Sequence, residues 1–146
     1  MVQRVARARV TVDGEAVLEM GAGLLAFVGV GRGDTPGSAG ELARRIVHLR
    51  IFADAEDRMN RSLLDAGGTL GVVSQFTLFG DAREGRRPFF GEAMPAEQAA
   101  PLVEAVAEAA RVLGAPVACG RFGARMQVEL LNVGPVTLLL DTDRRF

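Results

Sequence analysis

A chain of 146 residues fits a single domain and is long enough to bury roughly 70% of the surface its unfolded form exposes, so a core is available without disulfides or metals. With 49% hydrophobic and 24% charged residues it is too apolar for disorder, and a formal net charge of −1 excludes the global attraction to nucleic acid of a strongly basic protein. The single cysteine, Cys119, excludes an intramolecular disulfide and fits a reducing, cytoplasmic setting.

The longest apolar run, Gly21 to Val30, is shorter than the about 20 residues of a membrane helix, and the first residues lack the apolar stretch of a signal peptide, so no membrane partner is expected. Ala8, Val10 and Val12 alternate with Arg7, Arg9 and Thr11, which predicts a half-buried strand over Ala6 to Val12, turned by Asp13-Gly14 into a second strand, Glu15 to Met20. Leu24 to Val30 reads as a third strand and Gly31 to Gly37 as a loop. Ser38 and Glu41 stand at capping-box spacing, and Leu42, Ile46 and Leu49 repeat at helical intervals, predicting a helix from Ala39 to Arg50.

Leu70 to Phe79 reads as an apolar strand followed by a polar loop, Gly80 to Pro88. A second helix is predicted over Ala96 to Leu113, with Leu102, Val106 and Leu113 inward, Gly114 ending it and Pro101 delaying or kinking its start. Val117 to Cys119, Met126 to Leu131 and Val136 to Asp141 complete the strands. Strands and helices do not alternate regularly, which predicts an α+β single domain with a curled, largely antiparallel, barrel-like sheet flanked by two helices.

Conventional catalytic sets are missing. The only histidine, His48, lies inside the first predicted helix and reads as structural, and Cys119 has no evident activating partner. Gly29-Val30-Gly31-Arg32-Gly33 lacks the spacing and lysine of a phosphate loop and reads as a strand end and turn. Two segments break local rules. Ser74, Gln75 and Thr77 place polar groups in an apolar strand, where they either satisfy neighbouring backbone or face a ligand. Asn132-Val133-Gly134-Pro135-Val136-Thr137 forces a turn or bulge between two apolar strands, because Pro135 has no N–H to donate.

Ser74-Gln75-Phe76-Thr77-Leu78 together with Asn132-Val133-Gly134-Pro135-Val136-Thr137 resembles the paired signature of the D-aminoacyl-tRNA deacylase family. The similarity extends through Gln3-Arg4-Val5, Val10 to Gly14, Leu49 to Phe52, Met59 to Leu63, Gly85 to Pro88 and Gly120 to Ala124, nearly the whole chain, as one domain over residues 1–146.

This resemblance implies a homodimer with its active site at the subunit interface, where Gly134 and Pro135, joined by a cis peptide, enter the partner's site and exclude L-amino acids. It implies hydrolysis of D-aminoacyl-tRNA, and of mischarged glycyl-tRNA, with the tRNA 3′ end as partner, no DNA, no cofactor and no metal. Backbone N–H groups of Phe76 and Thr77 would stabilise the oxyanion, with the Thr77 hydroxyl as a weaker nucleophile candidate. Ser74, Gln75, Phe89 and Met126 would bind substrate, and Phe122 is a further lining candidate. Arg83, Arg86 and Arg87 either contact tRNA phosphates or form a solvated loop with Asp81 and Glu84. Val133 stands where the family often has Asp, and Phe89 where it commonly has Ser. The other readings are a deacylase for a different mischarged tRNA and an RNA-binding module without turnover.

Overall fold

The computed structural model describes residues 1–144. Eight strands, β1 (Val2–Val12), β2 (Glu15–Met20), β3 (Gly23–Val28), β4 (Phe52–Ala53), β5 (Met59–Arg61), β6 (Thr69–Ser74), β7 (Val117–Cys119) and β8 (Gln127–Leu138), accompany three helices, α1 (Pro36–Val47), α2 (Leu63–Ala66) and α3 (Ala96–Val112). The main sheet runs β2-β1-β3-β6-β7, with β8 on β1. Because β7 returns against β2, the sheet is a nearly closed barrel, and the architecture is the mixed α+β one expected. The β1 pairings are antiparallel, whereas β3–β6 and β6–β7 are parallel. No helix among the described residues is long and apolar enough to cross a membrane.

Strand β3 is buried throughout, and period-two alternation divides its side chains between two cores. Leu24, Ala26 and Val28 pack with Ile46 and Val47 of α1, Leu63 of α2 and Val106 of α3. Leu25 and Phe27 point into the barrel with Val5, Val10, Leu18, Met20 and Val73. The barrel interior is full: a Cβ on Gly71 would lie 2.7 Å from both Leu25 Cδ1 and Met20 Sδ, so glycine there is a matter of space.

Several boundaries differ from those expected. Helix α1 starts earlier because Thr35, not Ser38, is its N-cap: Thr35 Oγ1 accepts from the Ser38 amide at 3.3 Å, Ser38 Oγ accepts from the Thr35 amide at 3.2 Å, and Pro36 suits the first helical position. It ends at His48, whose amide bonds back to Arg44 and whose exposed ring bonds the Arg44 carbonyl at 2.8 Å, so Arg50 lies outside the helix. Helix α3 begins at Ala96 despite Pro101, which sits within it on an exposed position. Leu113 is 36% exposed at its cap rather than inward; Ala99, Val106, Ala107 and Ala110 form the buried face.

The β4–β5 hairpin and α2 were not expected, and the helix number rises to three with α2. The latter is a single turn capped reciprocally by Ser62 and Asp65, and its brevity hides it from periodicity. The predicted strand Leu70 to Phe79 ends at Ser74, and Phe76–Phe79 forms a 3-10 turn. Gln75 N–H still donates to the Val28 carbonyl at 2.8 Å, after which the Phe79 ring seats against Gly29 and Gly31, where added Cβ atoms would come within 3.0 Å of it. Those two glycines therefore serve as a seat for an aromatic ring where β3 ends.

Candidate active site

Where β3 and β6 end side by side, a cleft of about 600 Å³ opens, lined by Val28, Val30 and Val73, by Ser74, Gln75 and Phe76, by Phe90 and Met94, and by Phe122, Met126 and Val128. Five of the sequence-predicted residues thus meet here: Ser74, Gln75, Phe76, Phe122 and Met126. The lining is predominantly apolar, so its chemistry depends on few polar groups. Phe76, 59% exposed, meets Phe90 edge-on with ring centroids 5.2 Å apart.

Phe76 and Thr77 open the 3-10 turn, where their N–H groups have no acceptor within the turn, whereas Leu78 N–H already donates to the Gln75 carbonyl at 3.3 Å. The side-chain amide of Gln75 donates to the Thr77 hydroxyl oxygen. Among the described residues no imidazole or carboxylate is hydrogen-bonded to that hydroxyl, which leaves Thr77 without the base an oxygen nucleophile requires. Nor does Cys119 offer one. Burial pushes its thiol pKa up, against the opposing influence of Arg111, whose guanidinium lies 3.7 Å from the sulfur.

Phe89 is not on the cleft wall: it is 69% exposed on the neighbouring rim, and its chain neighbour Phe90 lines the cleft instead. Of the three loop arginines, Arg83 is committed to Asp81, its Nε lying 2.9 and 3.0 Å from the two carboxylate oxygens, while its amide donates to Asp81 Oδ1 at 2.9 Å. Arg86 and Arg87 are exposed and form no ion pair among the described residues.

The Arg83 side chain, and then its amide, hold the Asp81 carboxyl down to about 2. A carboxylate whose folded pKa lies below its unfolded one stabilises the loop fully above the unfolded value, and that contribution is lost as pH falls through the folded one. The Arg83 amide resonance is accordingly expected to titrate with a midpoint of about 2; a midpoint at 3.8, the ordinary aspartate value, would show that the pair does not form.

Gly134 and Pro135 lie elsewhere on the chain surface. Residues 133–135 leave the β1 ladder between Asn132, paired with Val5, and Thr137, paired with Gln3, and the Gly134–Pro135 peptide is cis. Asn132 spans the bend: its Oδ1 accepts from Val136 N–H at 2.8 Å, and its Nδ2 donates to the Val136 carbonyl at 3.2 Å and to Thr137 Oγ1 at 3.1 Å. Gln3 also donates to Thr137 Oγ1. Arg4 donates from Nε and Nη2 to the Val133 carbonyl at 3.1 and 3.0 Å, and from Nη1 to the Ile51 carbonyl. The Val133 side chain is 44% exposed while its carbonyl is held, which explains why valine is accommodated there.

The sequence reading assigned no site role to Arg4, Gln3, Asn132 or Thr137, whose hydrogen bonds brace the bend. One signal was present: the buried residues Val2, Val5 and Ala8 recur at intervals of three rather than two, marking the register shifts of β1 against β8 where the bend departs.

Among the described residues the chain thus combines an apolar cleft, two neighbouring backbone amides without an acceptor in their turn, no activated side-chain nucleophile and a separately braced Gly-Pro bend. The family model described as D-Tyr-tRNA(Tyr) deacylase matches residues 1–141. The chain is 58% identical over 142 residues to a D-aminoacyl-tRNA deacylase of Roseiflexus castenholzii, covering 97% of this chain and 90% of that one. It is 55% identical, also over 142 residues, to a D-aminoacyl-tRNA deacylase of Thermomicrobium roseum, covering 97% and 92%. A solved structure titled c-Myc DNA Unwinding Element Binding Protein superposes with a TM-score of 0.90 at 38% identity, covering 96% of this chain and 95% of that one. This chain belongs to the D-Tyr-tRNA(Tyr) deacylase family.

Proposed function

We propose that the chain hydrolyses the ester between a D-amino acid and the 3′ end of tRNA in the cytoplasm, as a homodimer in which the Gly134–Pro135 bend of one subunit closes the cleft of the other. The observation that carries this reading is the separation of two braced parts on one strand. Val128 lines the cleft and Gly134 lies six residues further along β8, about 20 Å of extended chain, so the bend suits a second copy's cleft better than its own. Family membership supports the activity.

In this reading the amino group of the substrate rests on the carbonyls of the bend. An L-side chain collides with the bend, a D-side chain points away, and glycine has nothing to collide, so glycyl-tRNA is also a substrate. Water attacks the ester carbonyl with assistance from the ribose 2′-OH, the Phe76 and Thr77 amides stabilise the oxyanion, and the bond to the ribose 3′-oxygen breaks, releasing amino acid and tRNA. Ser74 and Gln75 orient the terminal nucleoside, Met126 packs against it, and Arg86 and Arg87 meet acceptor-end phosphates.

The deciding experiment incubates the protein with D-tyrosyl-, L-tyrosyl- and glycyl-tRNA and follows ester loss, with sedimentation for oligomeric state. Loss of the D- and glycyl esters by a dimer is expected; rapid loss of the L-ester, no loss of any, or a monomer would overturn the reading. Thr77→Ala should keep activity within about tenfold of the parent, since the amide remains. Complete inactivation of a folded Thr77→Ala protein would make the hydroxyl a nucleophile.

A further inference from the structure

A large ring exposed on a rigid backbone beside a functional cleft calls for an occupant. Phe89 N–H donates to the Asp81 carbonyl and its own carbonyl accepts from Asp81 N–H, both at 2.8 Å. Three residues on, Arg32 N–H donates to the Glu92 carbonyl at 3.1 Å, and Arg32 Nε donates to the Gly91 carbonyl. The segment is thus pinned at both ends. The Cε1–Cζ edge of its ring abuts Gly91: a Cβ there would sit 2.2 Å from both atoms, so glycine leaves room for the ring, and the residue remains 69% exposed.

Consecutive side chains of extended backbone point to opposite sides, which places the Phe90 ring in the cleft and the Phe89 ring outside it. A single strand whose last nucleotide occupies the cleft must cross this rim, and Arg86 and Arg87 just upstream supply charge of the sign its phosphates need. Resting on the deacylase reading above, we propose that Phe89 is the stacking platform for the base immediately 5′ of the terminal adenosine of tRNA. Aromatic stacking tolerates any base, so the platform adds affinity for the 3′ end without reading the body of the tRNA.

The test compares Phe89→Ser and Phe89→Trp with the parent on D-tyrosyl-tRNA and on the D-tyrosyl ester of adenosine alone. Phe89→Ser is expected to raise KM about tenfold on the tRNA with kcat kept, a rise absent on the adenosine ester and reversed in Phe89→Trp. Uncharged tRNA carrying pyrrolocytosine next to the terminal adenosine gives a second readout: its fluorescence should change on binding the parent and Phe89→Trp but not Phe89→Ser. That signal is independent of turnover, so its presence in a protein that releases no amino acid would sink the deacylase reading alone. An equal KM rise on both substrates, no rise on either, no fluorescence change with the parent, or dissociation of the dimer in Phe89→Ser would overturn the platform.

Discussion

Gly134→Ala is expected to lower the rate of D-aminoacyl ester hydrolysis by about a hundredfold, the scale set by ångström-level misplacement in a preorganised site. Two features of the bend demand glycine. Its φ of +129° lies in a region that L side chains rarely adopt, and a Cβ would stand 2.8 Å from Val136 Cγ2 and 3.1 Å from Arg4 Nη2. Neither neighbour is free to yield, because Val136 is bonded through both backbone groups to Asn132 and Arg4 is bonded to Val133 and Ile51. The carbonyls of the bend must therefore shift, with little effect on either hydrophobic core, since the bend is exposed. Measuring kcat/KM on D-tyrosyl-tRNA beside a thermal melt separates the two effects. Parental activity in a folded variant would exclude the bend from the reacting site.

Arg4→Met is expected to cost between about tenfold and a hundredfold in kcat/KM, the scale of one hydrogen bond from a charged donor at about 1.5–3 kcal/mol, although it removes three such bonds, because Arg4 touches the bend and not the reacting atoms. Arg4 acts at one remove. Its guanidinium joins the Val133 carbonyl at the bend to the Ile51 carbonyl ahead of β4, and in the proposed reading it is a positioning residue. Arg4→Lys discriminates geometry from charge, since an ammonium cannot reproduce the planar fork. The lysine variant is expected to lie nearer to Arg4→Met than to the parent, and the ratio of D- to L-tyrosyl-tRNA hydrolysis should fall in both. A lysine variant with full activity and selectivity would show that only positive charge matters.

Much of the fold was legible because apolar spacing repeats. The β1–β2 hairpin, the bodies of α1 and α3 and the fully apolar β3 follow from periodicity and from Asp13-Gly14. What escaped depends on particular hydrogen bonds rather than on repeats. The run from Leu70 to Phe79 reads as one strand, yet it turns after Ser74, where Phe79 finds a seat at Gly29 and Gly31, residues more than forty positions earlier. Helix α1 has two overlapping cap patterns, Ser38 with Glu41 and Thr35 with Ser38, and the choice fell to the one that brings Pro36 into the first turn. In the site, the segments around Ser74 and Gly134 stand out as violations of strand chemistry. Arg4 does not, because an arginine in a half-exposed strand is unremarkable until its acceptors are known. Phe89 and Phe90 look alike in sequence, and only the pairing of Phe89 with Asp81 decides which ring enters the cleft.

Strand β3 supplies side chains to both cores and then ends at the cleft, where Val28 and Val30 form part of the lining. Opening the cleft floor would consequently disturb the helix layer and the barrel interior together, so this wall shares the free energy of global unfolding rather than that of a surface loop. Plasticity toward different amino acids is left to the rim and to whatever closes the cleft from outside. In the proposed reading, a chain so built would accept varied D-side chains while its ester-binding surface stays unchanged, tolerance and constancy being assigned to different parts of the molecule.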